Sequence, residues 1–141
     1  MGFVEKNTLL FLVTSVLGSL SYFVTVALRS REANSITDVA YAGPMLITIG
    51  AAVAVGIIGN AIISFSNREE AGQKDLRDEQ ITKFGTNIGQ AFIVIGGVSA
   101  LILSMLEVKH FWISNALYVG FVLSAIVGSS AQLVAYRKGL P

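Results

Sequence analysis

Residues 111–136 read FWISNALYVGFVLSAIVGSSAQLVAY, a stretch with no Asp, Glu, Lys or Arg. A hydrocarbon core of about 30 Å takes roughly 20 apolar residues in a helix, so this stretch predicts a transmembrane helix. Three more uncharged stretches, 8–28, 46–66 and 86–106, repeat the pattern. Of the 141 residues, 53% are hydrophobic and 13% charged, more apolar than a soluble domain of this length normally is. The reading is an all-α polytopic membrane protein with four transmembrane helices in one domain, 1–141. The predicted helices cover 8–28, 39–66, 86–106 and 111–136, with a charged loop at 67–84.

The first apolar stretch exceeds the h-region of a signal peptide and is not followed by a small-x-small cleavage site, so it reads as a retained helix. The second run starts near Val39 with Pro44 in its first turns, where a missing N–H is tolerated, and Thr37 or Asp38 as its N-cap. At 39–66 it is longer than the bilayer and is expected to tilt or protrude. Short joins at 29–38 and 107–110 predict two antiparallel hairpins. Lys6, Arg68, Lys74, Arg77, Lys83, Arg137 and Lys138 fall on one side, and Arg29, Arg31 and Lys109 on the other. The basic excess predicts that both termini are cytoplasmic.

Within the spans the sharpest pattern is small residues at four-residue spacing, which share one helix face. Ala52 and Gly56 carry it in the second helix, Gly85 and Gly89 in the third, and Gly120, Ser124 and Gly128 in the fourth. Lipid gives no hydrophobic drive to helix association, so such stripes are expected to pack helices closely, within the chain or against another. The series Ala52, Gly56, Asn60 and Ser124, Gly128, Gln132 also suggests a duplicated hairpin. Counted from the predicted helix ends, Ser15, Asn60, Gln90 and Gln132 form one polar layer in the inner third. Buried amides are costly in lipid unless bonded, so they are expected to face one another or a hydrated cavity.

Chemistry is sparsely provided. The chain lacks Cys and has one His, which excludes disulfides and thiolate chemistry. A net charge of +1 gives no field for nucleic acid. No Asp, Glu or His lies within the predicted spans, which disfavours proton-coupled transport, and the first predicted helix lacks the Glu on which four-span multidrug carriers depend. Asp38, Glu107 and His110 could approach one another at the outer surface, but their spacing demands no metal. No cofactor or metal is expected, and the chain is not read as an enzyme.

The loop carries Glu70 and Lys74, then Glu79 and Lys83, as favourable i, i+4 pairs. The second pair suggests that the third helix begins before the membrane. Asp75, Arg77, Asp78, Glu79 and Lys83 are the candidate docking residues for a cytoplasmic partner. The run Asp75-Leu76-Arg77-Asp78-Glu79-Gln80-Ile81, the glycine-rich third helix, and the fourth helix from His110 to Gly139 together resemble a group of four-span prokaryotic membrane proteins. Their loop pattern is closer to Asp-Glu-Arg-Asp, so Leu76 is a departure. The resemblance covers about the second half of the chain. It implies four spans in a prokaryotic inner membrane, and it brings no established activity or catalytic residues. The expectation is a non-enzymatic scaffold, accessory or regulatory protein in the bilayer, as a homo-oligomer or with a partner membrane protein. The alternative is a small oligomeric channel or transporter.

Overall fold

The computed structural model describes residues 2–66 and 75–141. It is all-α: α1 Phe3–Ser30, α2 Ala42–Ser66, α3 Leu76–Met105 and α4 His110–Lys138. Each is long and apolar enough to cross a membrane, because each carries an uncharged stretch of the required length. Such a chain is an integral membrane protein.

The helix bounds differ from the sequence reading for local physical reasons. α1 begins at Phe3, so Glu5 lies in its first turn, where a carboxylate complements the helix dipole. α2 begins at Ala42, not near Val39. The preceding residues form a single 3-10 turn, Ile36–Asp38, whose cap is Ser35, with its Oγ accepting from the Thr37 N–H. Asp38, expected as a cap, instead accepts from Lys109 Nζ at 3.1 Å. The 25 described residues of α2 already span about 37 Å of helix, more than the hydrocarbon core of about 30 Å, and α3 has 30 residues. α3 starts at Leu76, inside what reads as loop, with Asp78 and Glu79 in its first turn. The Glu79–Lys83 pair closes at 2.7 Å. The Glu70–Lys74 pair lies outside the described residues, as does Arg68.

α3 ends in a Schellman turn. The Glu107 N–H donates to Ser104 O at 3.1 Å and the Val108 N–H to Leu103 O at 3.3 Å. Glu107 takes φ 53°, at the position where glycine is usual. This left-handed residue redirects the chain straight into α4.

Packing runs in a curved row, α2–α1–α4–α3. The α3/α4 seam is the tightest. Were Gly120 given a Cβ, it would lie 2.8 Å from Gly96 Cα, and one on Gly89 would lie 2.8 Å from Ser124 O. Gly85 abuts Gly128 and Gln132, so α3 and α4 run in opposite directions. Backbones this close exchange side-chain bulk for main-chain contact, as lipid-embedded helices require. α1 meets α4 from Thr8–Gln132 to Tyr22–Asn115, and α2 through Gly59 against Leu10. α2 has no buried residue and meets α3 marginally at most.

Candidate functional site

A cleft of about 960 Å³ opens between α2 and α3, with α1 and α4 as its floor. It runs from Phe3, Val4 and Asn7, in the first turns of α1, to Tyr118. No Asp, Glu, Lys, Arg or His lines it among the described residues. Its walls are small and apolar side chains interleaved with hydroxyls and amides.

All four residues of the expected polar layer line this cleft: Ser15, Asn60, Gln90 and Gln132. They do not form one layer. Gln132 Oε1 accepts from Thr8 Oγ1 at 3.1 Å, which fixes its level near residue 8 of α1. Asn60 follows Gly59, which packs on Leu10. Gln90 follows Gly89, which meets Ser124 and Gly128, and so lies deeper, near Ser15. Thr8 and Ser15 are separated by about 10 Å of helical rise. Counting from helix ends at 8 and 86 puts these residues at one level, whereas α1 starts at Phe3 and α3 at Leu76. Two tiers result, one of Asn60 and Gln132 near the end that bears the termini, the other of Ser15 and Gln90.

Their hydrogen bonds are largely local. Ser15 Oγ donates to Phe11 O at 2.7 Å, and Ser64 Oγ to Asn60 Oδ1 at 3.3 Å. Asn60 and Gln90 are exposed, on the cleft's α2 and α3 walls. Asn7 Oδ1 is buried without a hydrogen-bond partner among the described residues, a state that costs about 1–3 kcal/mol.

The cleft ends against a filled layer. Tyr22 has no exposed surface, and with Val26, Val39, Phe111 and Tyr118 it forms the buried cluster at the other end of the bundle. Tyr22 Oη donates to Asn115 Oδ1 at 2.7 Å, and Asn115 Nδ2 to Phe111 O at 2.8 Å. The Tyr22 and Tyr118 rings are 4.6 Å apart, and Tyr118 Oη lies 3.4 Å from Thr48 Oγ1. Every helix but α3 supplies part of this hydrogen-bonded plug. Within one copy the cleft is therefore blind.

The small-residue stripes divide in use. Gly85, Gly89, Gly120, Ser124 and Gly128 form the α3/α4 seam, together with Gly96. Ala52 and Gly56 instead stand on the cleft wall, and a Cβ on Gly56 would meet nothing within 4 Å. Ala52 lies seven residues before Gly59 and shares the half-buried face that α2 turns toward α1, so the α2 stripe does face a neighbour, but its contact is loose beside the α3/α4 seam, since only Gly59 is tightly packed, on Leu10. Gly56 and Gly128, matched in the suggested duplication, are thus used differently.

The candidate docking residues also divide. Asp78 Oδ1 accepts from Tyr136 Oη at 2.8 Å, and Arg77 Nη2 donates to Tyr136 O at 3.3 Å. These two clamp the end of α4. Asp75, Glu79 and Lys83 stay exposed. Asp38, Glu107 and His110 do not gather, and no group of three metal-ligating side chains occurs among the described residues. The Schellman turn breaks the helical i, i+3 relation on which Glu107 and His110 depended.

Sequence reasoning missed Gly96, Thr8 and the Tyr22–Asn115–Tyr118 plug. Gly96 stands seven residues after Gly89, on the same helical face, a signal that a search for four-residue spacing passes over. The tyrosines are embedded in apolar runs and look lipid-facing until α1 and α4 are paired.

These features define an uncharged, side-opening cleft in a four-helix membrane chain. No protein-family model, no curated protein and no solved structure matches the chain.

Proposed function

We propose that the protein is a non-enzymatic integral membrane scaffold, accessory or regulatory protein that engages a second copy or a partner membrane protein through α2. The observation that carries this reading is the looseness of α2. None of its 25 residues is buried, and Gly43, Gly50 and Ala54 are exposed, with nothing within 4 Å of a Cβ on either glycine. Small residues let helices approach closely in lipid. On α3 and α4 that property is consumed inside the chain, and on α2 it is left open. The basic excess supports both ends in the cytoplasm, the short joins support two hairpins, and the resemblance suggests a prokaryotic inner membrane, where Asp75, Glu79 and Lys83 would meet soluble partners. Mass measurement after extraction in mild detergent tests the reading. A defined complex is expected, lost on Gly50→Leu; a monomer, or a complex indifferent to that change, refutes it.

A second reading, a small oligomeric channel or transporter, is favoured by one observation: Ser15, Asn60, Gln90 and Gln132 share a single uncharged cleft. The plug at Tyr22 and Tyr118 means that a path across the membrane needs a further copy or a displaced Tyr118. Flux into liposomes that is unchanged by Asn60→Leu with Gln132→Leu removes this reading.

A further inference from the structure

We infer that the cleft is a binding site for one uncharged amphiphile, a molecule with a hydroxyl, carbonyl or amide head and a single alkyl or isoprenyl chain. Volume, charge and shape each narrow the occupant. At about 960 Å³ the cleft lies within the range of sites that enclose a small organic molecule, about 300–1,000 Å³. Water alone is a poor tenant, because Ile49, Val53, Ile93, Phe121 and Val122 line much of the wall.

Charge excludes the common ionic headgroups. A phosphate or carboxylate drawn into the cleft would be desolvated with no cation among the described lining residues to pair with it, which is strongly unfavourable. The amides of Asn60, Gln90 and Gln132 and the hydroxyls of Thr82 and Thr86 instead offer neutral donors and acceptors. These suit an alcohol, a ketone or an amide. Asn60 and Gln132 lie toward the end bearing the termini and Gln90 one tier deeper, while Ile49, Val53, Ile93, Phe121 and Val122, interrupted by the hydroxyls of Ser19 and Thr48, line the wall toward Tyr118. The head therefore sits among the amides, and the chain lies along Ile49 and Ile93 and leaves between α2 and α3. Entry is lateral, from the bilayer, because those two helices meet marginally at most. The site is separate from the outward face of α2, so it stands whether or not α2 binds a partner.

Photolabelling tests this on the full chain in nanodiscs. The probe is a long-chain fatty alcohol with a diazirine beside the hydroxyl; a fatty acid and a phosphatidylcholine bearing the same group serve as comparison probes. The alcohol is expected to label residues around Gln90 and Gln132, and excess unlabelled isoprenoid alcohol to compete it away. Gly56→Phe places a ring in open cleft space and is expected to lower that labelling about tenfold, the effect of roughly 1.4 kcal/mol. Gly50→Leu is expected to leave it unchanged even where it dissolves the oligomer. The inference is overturned if the phosphatidylcholine or fatty-acid probe labels the cleft as strongly, if labelling falls mainly on outward positions such as Ile58 and Ile95, or if Gly56→Phe folds and labels normally. Should Gly56→Phe not fold, competition on the unaltered protein decides alone, and its failure overturns the inference.

Discussion

Replacing Gly120 with Ala tests whether main-chain contact holds α3 and α4 together. The added Cβ would stand 2.8 Å from Gly96 Cα and 3.1 Å from Phe92 O. Carbon atoms rest at about 3.5–4.0 Å, so the helices must part locally by about 0.7 Å or more. Neither side can yield cheaply, because both contacts are backbone. Parting also loosens Gly89 against Ser124 and Gly128 against Gly85, two and three turns along the same seam. Overpacking of this kind costs about 1–3 kcal/mol. Ala is also a better helix former than Gly by up to about 1 kcal/mol, and a matched control removes that gain. Gly97 is adjacent to Gly96 and helical, yet a Cβ there meets nothing within 4 Å. In SDS-titrated mixed micelles, Gly120→Ala is expected to unfold more easily than Gly97→Ala by about 1–3 kcal/mol. Two variants equal within about 0.5 kcal/mol, the usual scatter of such comparisons, would refute a seam built on backbone contact.

Two further outcomes follow from the plug and from the α3 terminus. Tyr22→Phe leaves Asn115 Oδ1 without its 2.7 Å donor and is expected to destabilise the fold by about 1–2 kcal/mol, with faster amide exchange near Phe111 and Asn115 as the readout. Unaltered exchange there would mean that the bond does not hold the plug. Glu107→Gly relieves a left-handed residue at φ 53°; the relief of about 1–2 kcal/mol outweighs the added unfolded-state freedom, about 0.4–1 kcal/mol. A small gain in thermal stability is expected, and a loss would show that the Glu107 side chain contributes more than its backbone costs.

Hydropathy located four helices because apolar length is a local property, readable one segment at a time. Their ends were less legible. Leu76–Lys83 is charged enough to read as loop, yet its charges lie at helical spacing and are exposed or bonded to Tyr136, which lets the helix continue beyond the apolar stretch. The polar residues of the cleft were legible as types and spacings, since an amide in an apolar span stands out. Their levels were not, because depth is inherited from helix ends and from which helices pair. The division of the glycine stripes was illegible for a similar reason: Gly56 and Gly128 look alike in sequence, and only Leu10 beneath Gly59 decides that Gly56 faces open space. Tyr22, Asn115 and Tyr118 bond across α1 and α4 from positions far apart in the chain, and nothing local announces them.

The tyrosine plug also sets a directional limit. The cleft stops at Tyr118 and opens sideways and toward the chain ends, so whatever enters it exchanges with one leaflet of the bilayer. Inverting the protein in a reconstituted vesicle would transfer that access from one leaflet to the other. A molecule confined to the opposite leaflet would have to flip before it could be bound.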